Sequence, residues 1–180
     1  MTFTIAPIVE GHGDVRSVPT LVARLFPEVR IATPVRMSRT RVHDDQHLAR
    51  MIGIARANIR EQGLILIVMD ADEDCAARIG PDILTRAAAM AGDVPVLVTL
   101  AVREYESWIV GGIDDYGVTD PDAIGNLKGR IRDRESQYKE TVDQQRLTRL
   151  IDTALLESRS RSFRHLVQGL RRLVPQPPTR

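Results

Sequence analysis

The sequence predicts an α/β protein, a mostly parallel sheet flanked by helices and followed by a C-terminal helical extension. Three observations predict it. Apolar, β-branched runs alternate with helical patterns in the order β-α-β-α-β-α-β over roughly the first 100 residues, which is the signature of parallel strands joined by crossover helices. The run Leu64-Ile65-Leu66-Ile67-Val68-Met69 is unbroken and apolar, as a central strand covered on both faces requires. After Gly111-Gly112 the strand pattern stops and only helical stripes remain.

The elements follow in order. Thr2 to Val9 is a strand rich in β-branched residues. Glu10-Gly11-His12-Gly13-Asp14 turns the chain. Val15, Val18, Leu21, Val22 and Leu25 then share one helical face, with Asp14 in the N-cap position and Pro27 as the stop. Val29 to Val35 is a weaker strand. A polar loop with Arg36, Arg39 and Arg41 leads to a second helix, capped by Asp44 or Asp45 and carrying Leu48, Met51, Ile52, Ala55 and Ile59 inward. Leu64–Met69 is the third strand. Pro81 opens a third helix over Ile83 to Ala91, and Pro95 to Val102 is the fourth strand.

Residues 1–112 are expected to form the α/β core and residues 113–174 a basic helical extension packed on it. Its helices are expected over 121–134, 143–157 and 160–174. Leu147, Leu150, Ile151 and Ala154 form one apolar stripe; Phe163, Leu166, Val167, Leu170 and Leu173 form another. Residues 175–180, with three prolines, are expected to fray.

Composition narrows the function. Hydrophobic residues are 43% of the 180, enough for a core, but aromatics are only 4%. That leaves little material for stacking platforms on bases. No apolar run reaches the ~20 residues of a membrane span. The N-terminus lacks the basic and apolar regions of a secretory signal. One cysteine, Cys75, excludes an intrachain disulfide framework and is expected to be a small buried or half-buried side chain. A cytoplasmic, bacterial-type protein is expected. Charge is uneven: residues 1–125 hold 12 Lys/Arg against 18 Asp/Glu, residues 126–180 hold 13 against 6. The basic half either receives an anionic partner or is a solvated helical face.

Parallel sheets gather function beyond the C-terminal ends of their strands. Three acidic pairs fall there: Glu10/Asp14, Asp70/Asp72 and Glu104/Glu106. Neighbouring strands lie about 4.8 Å apart, so the pairs can converge. Carboxylates brought together resist ionisation, and Mg2+ or Mn2+ relieves that conflict because hard cations favour oxygen ligands. Asp70 and Asp72 are separated by one residue, and in a strand that spacing points both side chains to the same side. Asp14 is alternatively a plain helix cap. His12, between two glycines, is either a ligand or acid/base group or a solvated turn residue. His43, His47 and His165 lack zinc-ligand spacing. No Gly-x-x-x-x-Gly-Lys-Ser/Thr loop occurs, which argues against a P-loop ATPase. Trp108 is expected to pack the turn that follows the fourth strand.

Ile8-Val9-Glu10-Gly11-His12-Gly13-Asp14 resembles the opening motif of Toprim domains, and Val68-Met69-Asp70-Ala71-Asp72-Glu73-Asp74-Cys75 resembles their Asp-x-Asp element. With Ala101 to Trp108, Tyr138 to Gln144 and Arg161-Ser162-Phe163, the pattern resembles the Toprim-like bacterial domain-of-unknown-function family 4276, related to OLD-type nucleases. The resemblance implies a Toprim fold and Mg2+-dependent phosphodiester chemistry. It carries metal binding to Glu10, Asp70 and Asp72, the second acid to Asp14, and a further ligand to Glu104. A lysine is expected two residues after Tyr138, where Glu140 stands; Lys139 is one place early, and Lys128 is the preferred catalytic cation. Bacterial defence beside an ATPase partner is also implied.

The leading expectation is therefore a nuclease. Arg36, Arg39, Arg41, Arg130, Arg132 and Arg134 would hold phosphates, and Arg103 would stabilise developing charge. The alternative is a non-catalytic, metal-binding interaction subunit docked on a partner protein. Homo-oligomerisation is compatible with both. Haloacid dehalogenase-type folds fit less well, because their Asp-x-Asp follows the first strand and Glu10 would have no role; receiver domains place a single Asp on the third strand and need a lysine after the fifth.

Overall fold

Strand β1 (Thr4–Val9) is the centre from which the sheet grows in two directions. A computed structural model describes residues 2–175, so the expected tail falls, from residue 176 on, outside the described residues. Helix α1 (Asp14–Leu25) carries the chain to β2 (Arg30–Ile31) and β3 (Val35–Arg36), both parallel to β1 on one side. The expected single strand is thus two short pieces, parted around Pro34, which has no N–H for the ladder.

Helix α2 (Asp45–Ala57) then crosses to the other side of β1 and feeds β4 (Gly63–Asp70). Asp44 is its N-cap and accepts the His47 N–H. Helix α3 (Ala76–Ala91) returns the chain to β5 (Val96–Ala101), parallel to β4. It begins earlier than Pro81 predicts, so that proline lies inside the helix and α3 forms without that backbone bond. The order β2-β1-β4-β5 reverses direction between β1 and β4, a topological switch point.

Side-chain alternation divides the core between the two faces. Leu64, Leu66 and Val68 of β4 join Ile5 and Val9 against α1 and the C-terminal helices. Ile65, Ile67 and Met69 join Ala6 and Ile8 against α2 and α3. Each such fully buried aliphatic side chain contributes about 1.5–3 kcal/mol. Asp70 ends β4 on the first of these faces.

The regular elements after β5 among the described residues are helical, chiefly α4 (Glu106–Gly112), α5 (Leu127–Arg132), α6 (Glu140–Thr148), α7 (Thr153–Arg159) and α8 (Arg161–Leu173). The helix expected over 143–157 is interrupted, because Asp152 caps a new helix by accepting the Leu155 N–H. Leu150 consequently leaves the expected stripe and is 60% exposed, while Leu147 and Ile151 stay buried. Trp108 is fully buried, packs on Tyr105 and Phe163, and donates Nε1–H to Ser162 Oγ at 2.9 Å. No helix among the described residues is long and apolar enough to cross a membrane.

Candidate metal centre

The ends of β1 and β4 are adjacent, with Val9 opposite Val68. Glu10 and Asp70 therefore emerge side by side at the switch point. Glu10 reaches across: Oε2 accepts the Asp70 N–H and Oε1 the Arg39 N–H, each at 3.3 Å. Asp70 Oδ1 accepts the Tyr105 N–H at 2.9 Å, tying the end of β4 to the turn after β5.

Asp14 is the first residue of α1 rather than its N-cap, which is Gly13. Its carboxylate folds back instead, accepting the Gly11 N–H at 2.8 Å and the Gln144 amide at 3.1 Å. Gln144 Oε1 in turn accepts the Ser17 hydroxyl at 2.9 Å. A Cβ on Gly13 would stand 2.2 Å from Gln144 Oε1. Glycine is needed there for close approach, not for a left-handed backbone.

A fourth acid completes the group. Glu106 is only 1% exposed and accepts the Tyr138 hydroxyl at 2.8 Å. Sequence reasoning noted Glu106 beside Glu104 but did not place it in the site. The apolar run Trp108-Ile109-Val110 after it was the available signal, since it marks the whole of α4 as buried.

Burial governs the electrostatics. Desolvation pushes the Asp70 carboxyl well above the usual carboxylate range, reinforced by Asp14, Glu106 and Glu10. Desolvation also raises Asp14, against the bonds from Gly11 and Gln144, and raises Glu10. It pushes Glu106 up to about 7, against the pull of Lys128 and the Tyr138 bond.

Lys128 is the cation of this cluster. Its Nζ lies 2.6 Å from Glu140 Oε1 and 2.9 Å from Glu104 Oε2, the second contact an ion pair outside hydrogen-bond geometry. Desolvation works against its charge, but Glu140, Glu106 and Glu104 outweigh it, so its pKa is raised. Glu140, standing where a lysine was expected, is thus the partner of the lysine that reaches the cluster. Lys139 is exposed.

Asp72 does not continue the line of Asp70. The strand ends at Asp70, Asp72 has φ of +48°, and its side chain is 59% exposed. Its N–H donates to the Arg103 carbonyl at 2.8 Å, and Arg103 is also left-handed, at φ +62°. Two non-glycine residues in that region lie face to face at the strand ends, a placement typical of functional loops. The Arg103 guanidinium pairs with Glu73 at 3.1 Å.

Most of the remaining predicted residues do not join the acids. His12 is exposed and, among the described residues, has no hydrogen-bond or ion-pair partner. Arg36, Arg130 and Arg132 are exposed, Arg41 lies 3.8 Å from Asp44, and Arg134 sits over the Tyr116 ring at 5.6 Å. Arg39 differs. Its guanidinium is turned inward, donating to the Asp70 carbonyl and to Asp74. Cys75, expected to be at least half-buried, is exposed at the N-cap of α3.

As arranged, no three His, Cys, Asp or Glu side chains among the described residues converge closely enough to hold a metal ion. The donor chemistry nevertheless fits a hard cation. Glu10, Asp14, Asp70 and Glu106 offer only oxygen ligands, and their raised pKa values record carboxylates short of compensating positive charge.

The solved C-terminal region of the Burkholderia pseudomallei OLD protein aligns over 97% of this chain and 100% of its own, at 16% identity and a TM-score of 0.48. No curated protein matches significantly. The model of the family described as Domain of unknown function (DUF4276) matches residues 9–171, from the end of β1 to the last turn of α8. The chain belongs to that family.

Proposed function

We propose that this protein is a Mg2+- or Mn2+-dependent nuclease that hydrolyses phosphodiester bonds. The observation that carries the reading is the gathering of Glu10, Asp14, Asp70 and Glu106 at the switch point, with Lys128 beside them. Glu10, Asp14 and Asp70 would hold the metal, with Asp72, Glu104 and Glu106 as further oxygen donors. The bound cation would supply an activated water and charge stabilisation.

The chain's own groups account for the rest. Lys128 places a permanent charge where a phosphate oxygen would gain negative charge. Glu106 is buried and accepts the Tyr138 hydroxyl, which would fix its carboxylate beside Lys128. Arg36, Arg41, Arg130, Arg132 and Arg134 are exposed and would suit backbone phosphates rather than base edges.

The test is direct. The purified protein is incubated with plasmid DNA, single-stranded DNA and RNA in Mg2+, Mn2+ or EDTA, beside Asp70→Asn. The reading expects cleavage that needs metal and is lost in the variant. Intact substrate in every mixture, with a folded protein, contradicts it.

One observation favours a second reading. Lys128 and Arg39 already neutralise part of the acidic group, and no three acids stand at ligand distance. A non-catalytic subunit docked on an ATPase partner would have this appearance. It predicts salt-dependent nucleic-acid binding without cleavage.

A further inference from the structure

Arg39 stands apart from the arginines around it. It lies on a short 3-10 turn, Arg39–Arg41, between β3 and α2. Arg36 and Arg41 are exposed, but the Arg39 side chain is only 14% exposed. Nη1 donates to the Asp70 main-chain oxygen and Nη2 to the Asp74 carboxylate, while Nε lies 3.7 Å from Asp72 Oδ2. Its own N–H is accepted by Glu10. One side chain thus meets the Asp72 and Asp74 carboxylates and the main chain of Asp70, while Glu73 pairs with Arg103.

The guanidinium cannot leave by losing its proton, because arginine stays charged at any working pH. It yields only to another positive charge or to a better anion. We propose that Arg39 is a positioning residue that competes with the divalent cation for the Asp70–Asp74 turn and neutralises that turn until the cation displaces it. The proposal rests on the metal reading above. It accounts for Asp72 standing outward in a left-handed turn while paired to Arg39. It also gives the displaced guanidinium a second use, since its planar fork suits a phosphate as well as a carboxylate.

The chain carries its own reporter. Cys75 is the single cysteine, is exposed, and directly follows Asp74. Mn2+ binding is measured by the paramagnetic signal of the free ion, for the natural protein, Arg39→Ala, Arg39→Lys and Asp70→Asn. The rate at which a thiol-reactive disulfide labels Cys75 is measured with and without Mg2+.

Arg39→Ala should bind Mn2+ roughly fivefold or more tightly than the natural protein, since a repelling charge is gone, and Arg39→Lys should fall between them. Mg2+ should speed Cys75 labelling in the natural protein, and Arg39→Ala should label fast without it. Equal or weaker Mn2+ binding by Arg39→Ala, while Asp70→Asn loses it, overturns the competition and leaves the metal site standing. No Mn2+ binding by any of the proteins overturns both. If Arg39→Ala does not fold, labelling of the natural protein decides: a rate unchanged or slowed by Mg2+ overturns the proposal.

Discussion

Gln144 donates its side-chain amide to Asp14 across 130 residues of chain, and the same amide group accepts the Ser17 hydroxyl. The contact fastens α6 to the first turn of α1 inside the acidic crevice. Gln144→Leu keeps much of the volume and removes both bonds. It should lower stability by about 1–3 kcal/mol, the cost of leaving buried polar groups unpaired. It should also weaken Mn2+ binding, because Asp14 loses its orientation. Urea denaturation and a metal titration check the two halves separately.

The raised carboxyl pKa values give a pH dependence of definite sign. A carboxyl whose folded pKa lies above its unfolded value stabilises the fold most below the unfolded pKa and loses that contribution as pH rises through the folded one. For Glu106 the window runs from 4.5 to about 7. At 1.36 kcal/mol per unit the whole effect is about 3 kcal/mol. In EDTA, thermal stability should therefore fall between about pH 4.5 and about pH 7. Glu106→Gln should flatten the fall, and saturating Mg2+ should do the same.

Lys128 faces Glu104, Glu140 and the buried Glu106. Lys128→Met removes the ammonium and keeps the stem. Cleavage should drop about 100-fold, the scale of losing one charge-stabilising donor. The metal-free protein should melt lower as well, and Mg2+ should recover much of that difference by supplying charge to the same acids. A variant that cleaves at the natural rate removes Lys128 from the mechanism.

Asp122 has a fully buried carboxylate that accepts the N–H groups of Arg161 and Ser162 and the hydroxyls of Ser160 and Ser162. It closes the N-terminus of α8 together with the capping hydroxyl of Ser160. Asp122→Ala should cost about 2 kcal/mol in chemical denaturation, at the upper end for a lost cap. Metal affinity should not change, because α8 packs on β5 rather than lining the acids.

Arg130 and Arg132 are exposed on α5. If they hold phosphates, Arg130→Glu/Arg132→Glu should weaken nucleic-acid binding evenly across sequences. The slope of log affinity against log salt should shrink by about 2. An unchanged slope assigns them to a solvated helix face.

The sheet was legible because its strands are written plainly. Leu64 to Met69 could only be a strand buried on both faces, and the strand ends put Glu10, Asp14 and Asp70 at one edge. Other features were set by contacts distant in sequence. Asp72 was read by strand alternation, but the strand stops at Asp70 and a left-handed residue turns the carboxylate out. Glu106 was paired with Glu104 at a strand end, and the ligand role went to Glu104 alone. In the structure a helix begins at Glu106 and every residue of that helix is buried. Nothing in spacing favours Lys128 over Lys139; both elements approach the acids, but Lys139 is exposed at the N-cap of α6 whereas Lys128 meets Glu104 and Glu140. The break at Asp152 was local and readable as a cap, yet an apolar stripe running through it concealed it.

The residues that complete the acidic crevice come late in the chain. Glu10, Asp14 and Asp70 leave the ribosome well before Lys128, Tyr138 and Gln144, which supply the ammonium, the phenol hydroxyl and the amide around them. Synthesis proceeds from the N-terminus at about 5–20 residues per second, so a growing chain holds the acids for some seconds without the groups that orient and balance them. The crevice is assembled only after residue 144 has been made, because Gln144 is the last of these groups to reach the acids.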